Sequence, residues 1–181
     1  MNTPKLSTIT IKELALIVGR KLEEHHIDAV LVGGACVSIY ARNKYVSGDL
    51  DLISHEGSRK IGAALAELGF SLERNKYYVH PHCPFFLEFL APPVAIGAEP
   101  VTTFSRISSR IGEIKLLTPT DCVKDRLSAW YHWNDRQSLE QALLVARARR
   151  VDLKEIARWS LDEGQGAKFA LFKEKMKGEK K

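Results

Sequence analysis

Cysteine is scarce and scattered in this chain. Cys36, Cys83 and Cys122 lie far apart, and no Cys-x-x-Cys pair occurs. That excludes a disulfide framework and a zinc knuckle, leaving reduced thiols and a cytoplasmic setting as the expectation. No stretch approaches the roughly 20 apolar residues of a membrane-spanning helix. The opening Met1-Asn2-Thr3-Pro4-Lys5 leads into an amphipathic pattern rather than a signal-peptide core. Internal repeats and low-complexity linkers are missing too. So is the Gly-x-x-x-x-Gly-Lys-Ser/Thr pattern of a phosphate-binding P-loop.

What is present suits one globular unit. The 181 residues are 45% hydrophobic and 27% charged, which argues against wholesale disorder. The net charge of +5 favours polyanionic partners such as nucleotides or RNA. Much of that excess falls in residues 173–181, expected to be a solvated tail.

Hydrophobic periodicity divides the chain. Thr10 is placed to cap a helix over 11–25 whose stripe is Leu14, Ile17, Val18 and Leu22. Ala29-Val30-Leu31-Val32 reads as a buried strand stopping at a tight Gly33-Gly34 turn, followed by a short helix over 35–41. Asp49-Leu50-Asp51-Leu52-Ile53 alternates polar and apolar, as a strand with both aspartates on one face does. A helix over 57–68 ends near Gly69. Strands are then expected over 77–79, 85–90, 101–107 and 113–117, separated by prolines and glycines. Thr118-Pro119-Thr120-Asp121 is a strong helix start. Helices follow over 119–132, 136–149, 152–163 and 166–176. The expected organisation is an α/β core over 1–117 with a helical portion over 118–181 packed on it.

Three features belong together chemically. The glycine turn lets backbone N–H groups approach phosphate oxygens at the start of a helix. Asp49 and Asp51 place hard oxygen ligands on one side of a strand, as Mg²⁺ requires. Glu88 sits inside Phe85-Phe86-Leu87-Glu88-Phe89-Leu90, where a carboxylate is costly unless paired or metal-bound. Together the three acids form a candidate site for two metal ions.

Gly33-Gly34, then Asp49-Leu50-Asp51-Leu52 and a later strand carboxylate, resemble the DNA polymerase β-type nucleotidyltransferase superfamily over residues 28–90. The segment Thr118-Pro119-Thr120-Asp121-Cys122-Val123-Lys124-Asp125-Arg126-Leu127 is similar to the minimal bacterial branch. That branch includes the AbiEii-like toxins of type IV toxin–antitoxin systems. The resemblance implies an α+β nucleotidyltransferase fold, with a mixed sheet flanked by helices, and Mg²⁺-dependent transfer of a nucleoside monophosphate from an NTP to a hydroxyl. Two ions are expected, with Mn²⁺ as an alternative. Asp49, Asp51 and Glu88 take catalytic and metal-binding roles. Gly33, Gly34, Ser47 and either Lys124 or Arg126 contact the nucleotide, and Asp135 supports the site. An RNA acceptor and an antitoxin partner are implied as well. The chain departs from the pattern in three places. Ala35 stands where serine is common, leaving that phosphate contact to backbone, Ser38 or Ser47. Glu88 replaces the commoner aspartate, and Asn134 replaces the lysine of a Lys-Asp pair.

Other readings stay in view. A haloacid-dehalogenase-type Asp-x-Asp should follow a hydrophobic strand, and Lys44-Tyr45-Val46-Ser47-Gly48 is not one. A glycosyltransferase Asp-x-Asp, a small-molecule (antibiotic) nucleotidyltransferase and a non-catalytic nucleotide- or RNA-binding protein with the same fold remain open. His80-Pro81-His82-Cys83 reads as a loop, for want of a fourth ligand. Trp130 and Trp133 serve equally well as stacking groups for a base or as core packing, and Asp135 as a helix cap. Arg147, Arg149 and Arg150 suit a helix C-terminus.

Overall fold

A computed structural model describes residues 5–178; residues 1–4 and 179–181, which end the expected tail, lie outside it. Helix α1 (Ile11–Glu24) begins with a reciprocal cap. The Glu13 N–H donates to Thr10 Oγ1 at 3.2 Å, and the Thr10 N–H donates to Glu13 Oε2 at 2.9 Å. Such a cap contributes about 1 kcal/mol. Leu14, Ile17, Val18 and Leu22 are all buried, as their spacing requires.

Strand β1 (Ala29–Val32) is buried throughout and feeds α2 (Gly33–Tyr40). The glycine pair thus makes the turn, with Gly33 at φ 67°, and opens the helix at the same time. Next come β2 (Asp49–Ser54), α3 (Ser58–Ala66), β3 (Ser71–Glu73), β4 (Tyr77–Val79) and β5 (Phe86–Leu90). A small hairpin of β6 (Ala95–Ile96) and β7 (Glu99–Pro100) follows, then β8 (Phe104–Ser109) and β9 (Gly112–Leu117). Among the described residues, the main sheet runs β3-β4-β5-β2-β1-β9-β8. It is mixed: β1 is antiparallel to β2 and parallel to β9, while β5 is parallel to β2.

Two strand expectations are corrected. The strand expected over 101–107 starts only at Phe104, because the Val101 N–H donates to Val94 O at 2.9 Å and closes the β6–β7 hairpin. Strand β3 went unforeseen because its three residues are all exposed and too few for a polar–apolar alternation to stand out.

The helical portion comprises α4 (Pro119–Trp133), α5 (Arg136–Ala148), α6 (Leu153–Asp162) and α7 (Gly166–Gly178). Thr118 caps α4, accepting from the Asp121 N–H at 3.1 Å, with Pro119 in the first turn. Asn134, at φ 51°, ends α4 in the left-handed conformation that asparagine tolerates. Helix α2 packs on both α4 and α5. The Tyr40 hydroxyl donates to Leu117 O at 2.6 Å, and Arg149 Nε donates to Tyr40 O at 3.1 Å. Arg149 thus ties the end of α2 to the C-terminal helices. Residues 173–178, expected as tail, continue α7, which is held by buried Phe169 and Phe172.

Candidate active site

The site is assembled by the two-residue period of β2. Leu50 and Leu52 are fully buried. Burying a leucine contributes about 1.5–3 kcal/mol, which fixes the strand's register. Asp49 and Asp51 must then point to the opposite face, where both are half-buried. Strand β5 lies parallel beside β2 with Asp51 opposite Glu88 and Asp49 opposite Phe86. Register neighbours point to the same face. Glu88 is therefore the carboxylate nearest in register to Asp51.

The glycine turn closes the site from the other side. Val32 is opposite Asp51 across β1 and β2, so the chain enters α2 beside that aspartate. Gly33 has φ 67°, and a Cβ there would stand 2.5 Å from Asp51 Oδ2. At Gly34 a Cβ would stand 2.7 Å from Ser47 Oγ and 3.3 Å from the Tyr45 hydroxyl. Glycine at both positions is thus required by close approach, and at Gly33 by backbone conformation as well.

The hydroxyls have defined jobs. Ser47 is buried and donates from Oγ to Asp49 Oδ1 at 2.7 Å. Its N–H donates to Ser38 Oγ at 2.9 Å, and Ser38 Oγ donates to Gly34 O at 3.2 Å. Ser38 is therefore committed to holding the loop before β2 against the turn, whereas Ser47 stands at the glycine pair and orients Asp49. Tyr45, which sequence reasoning did not single out, shares that place.

The charges of the other two acids reach Asp51. Burial raises the Asp51 carboxyl to about 6, and the negative charges of Asp49 and Glu88 push the same way, opposed by Arg126. Arg126 donates from Nε and Nη2 to Asp125 Oδ2 at 2.9 and 2.6 Å, and from Nη1 to Gln141 Oε1 at 3.4 Å. Asp125 and α5 thereby hold the guanidinium whose charge reaches Asp51.

Lys124 is placed elsewhere, and of the two cations Arg126 is the one whose charge acts on Asp51. Two residues on a helix are separated by about 200°, so the two cations cannot face the same way. Lys124 is 3% exposed, with Nζ 3.1 Å from both Glu99 Oε1 and Glu155 Oε1 and 5.6 Å from the Trp159 ring. Asp135 caps α5, accepting from the Gln137 N–H at 2.9 Å and the Ser138 hydroxyl at 2.6 Å. The Ser138 hydrogen bond is the main cause of its lowered pKa, and the charge of Arg126 contributes. Trp130 is buried and packs in the core, whereas Trp133 is 76% exposed.

A divalent ion suits part of this donor set. Asp49 and Asp51 offer hard oxygens on one strand face, and their mutual repulsion is what a cation relieves. The expected three-carboxylate set is not drawn together, however. Among the described residues, no three His, Cys, Asp or Glu side chains are grouped to hold an ion. The Glu88 carboxylate instead lies 3.0 Å from Lys76 Nζ. Residues 80–83 form a loop, and Cys36, Cys83 and Cys122 are free thiols. Among the described residues, no helix is long and apolar enough to cross a membrane.

Known proteins agree with this architecture. No curated protein matches the sequence. The chain is similar in structure to an antigenic nucleotidyltransferase-like protein from Paracoccidioides brasiliensis, with a TM-score of 0.54 and 16% identity over 91% of this chain and 95% of that one. It is similar also to the antibiotic-resistance factor ANT(2'')-Ia, with a TM-score of 0.51 and 12% identity over 85% of this chain and 88% of that one. At such identities the likeness establishes the fold, which is nucleotidyltransferase-like. Residues 11–68, which carry the glycine pair and both aspartates and stop short of Glu88, match the family described as nucleotidyl transferase of unknown function (DUF2204).

Proposed function

We propose that the chain is a cytoplasmic, Mg²⁺-dependent nucleotidyltransferase that moves a nucleoside monophosphate from an NTP to a hydroxyl. One observation carries this reading: Asp51 lies against the Gly33 turn, where burial first, and then the charges of Asp49 and Glu88, raise its pKa to about 6. Structural ion pairs neutralise such charge; a site built for a cation and a triphosphate keeps it.

Asp49 and Asp51 would hold the ion, whose chemistry is to screen the triphosphate and polarise the α-phosphoryl group. The Gly33 and Gly34 backbone N–H groups and Ser47 bind phosphate oxygens, and Arg126 adds a fixed positive charge. Glu88 takes the proton of the acceptor hydroxyl. The acceptor oxygen forms its bond to the α-phosphorus as the bond to the β-phosphate oxygen breaks, and pyrophosphate leaves. Residues 1–117 supply the carboxylates and the turn, and residues 118–181 supply Arg126. The basic composition and the likeness of α4 to the AbiEii-like branch support an RNA acceptor and an antitoxin partner.

The test is transfer of label from each α-³²P-labelled NTP, with Mg²⁺, into cellular RNA, protein and small-molecule fractions, with Asp49→Ala alongside. We expect label in the RNA fraction from the wild type and at least a 100-fold loss in the variant. Label in the small-molecule fraction would redirect the acceptor toward antibiotic-like compounds. Salt-sensitive RNA binding without transfer would point to a non-catalytic binding protein.

A further inference from the structure

Lys76 is placed by a tight turn. The β3–β4 hairpin turns on Arg74 and Asn75, at φ 51° and 55°, and the Lys76 N–H donates to Glu73 O at 3.0 Å. Two successive left-handed residues are the mark of a type I′ turn, which matches the twist of the strands it joins. The residue after Lys76 is Tyr77, which pairs directly with Glu88. The turn therefore brings Lys76 next to the cross-strand partner of Glu88, and its side chain reaches the carboxylate. It lies 3.0 Å from Glu88 Oε1 and 4.8 Å from the centre of the Tyr77 ring.

Glu88 thus has two neighbours of opposite sign. On one side is Asp51, its register partner on β2; on the other is Lys76. The carboxylate is 15% exposed, whereas the lysine side chain is 53% exposed. A half-buried carboxylate needs a counter-charge, and the ammonium supplies it from the solvent side.

We propose that Lys76 is a positioning residue that supplies the counter-charge on Glu88 in place of a metal ion. The chain by itself then holds one divalent ion at Asp49 and Asp51, and a second ion at Glu88 must displace the lysine. This inference rests on the metal-binding reading of Asp49 and Asp51 given above.

The test titrates the full chain with Mn²⁺ and counts free ion by electron paramagnetic resonance, with no nucleotide present. Wild type should bind one ion per chain and a second more weakly. In Lys76→Met the second ion should bind about two- to fivefold more tightly, the range expected when a part-exposed ion pair is removed. Lys76→Gln repeats the test with a polar side chain, and Lys76→Arg should restore wild-type behaviour. Identical titrations for wild type, Lys76→Met and Lys76→Gln would overturn the proposal. Absence of Mn²⁺ binding in the wild type, matching Asp49→Ala, would overturn the metal reading itself and Lys76 with it.

Discussion

Two charged clusters in this molecule solve opposite problems. Between α4, α6 and β7, Lys124 and Arg158 are interleaved with Glu99 and Glu155. Arg158 Nη2 lies 2.7 Å from Glu99 Oε2 and 2.6 Å from Glu155 Oε1, while Lys124 bridges the same two acids. The hydrogen bond from Arg158, aided by Lys124, lowers the Glu155 carboxyl to about 2. At the start of β2 the arrangement reverses: burial, with the charges of Asp49 and Glu88, raises Asp51 to about 6. One cluster closes its charges on each other. The other leaves negative charge beside a glycine turn, where an external cation can satisfy it. Shifts in opposite directions thus separate a structural network from a candidate site.

Removing the central cation of the network gives the larger effect on stability. Lys124→Met should destabilise the fold by about 1–3 kcal/mol. That is below the usual cost of breaking a buried pair, because Glu99 and Glu155 are about one-third exposed and keep Arg158. Transfer activity per folded molecule should be unchanged. Urea unfolding and activity measured on the same preparation check both parts, and a selective loss of activity would return Lys124 to the nucleotide site.

The opposite cluster should gain stability when its charge is removed. The folded Asp51 carboxyl titrates near 6, against an ordinary 3.8. Between those values the folded protein keeps a proton that the unfolded chain releases, so this group's contribution to stability falls as pH rises through the window. The penalty is complete above about pH 6. In metal-free buffer, Asp51→Asn should raise stability at pH 7.5 by about 1–2 kcal/mol after allowance for solvent screening, and by much less at pH 4. Urea titrations of both proteins at the two pH values measure this. A variant less stable than wild type at pH 7.5 would break the contrast between the clusters.

Much of the sheet and most of the site's backbone could be read from the residues. The Asp49–Ile53 alternation fixes which face carries the acids, because a strand's period of two admits one answer once Leu50 and Leu52 are buried. The helical start at Thr118-Pro119 has local causes and was equally legible. Long-range placement was not. Nothing in the spacing ties Lys76 to Glu88; their meeting depends on a turn whose first strand, β3, is short and exposed. Tyr45 reaches Gly34 only through the fold of the loop before β2. That Arg126 and not Lys124 acts on Asp51 needed the position of α4, although helical geometry alone forbids both from facing the sheet.

The central claim is that Asp49 and Asp51 at the start of β2 are a cation site, and ion-dependent thermal stability tests it most directly. Mg²⁺ at about ten times its dissociation constant should stabilise the wild type by about 1.4 kcal/mol. It should leave the Asp49→Asn, Asp51→Asn double variant unmoved and stabilise Lys124→Met as it does the wild type. Equal Mg²⁺ responses in the wild type and the double variant, or none in the wild type, would contradict the account.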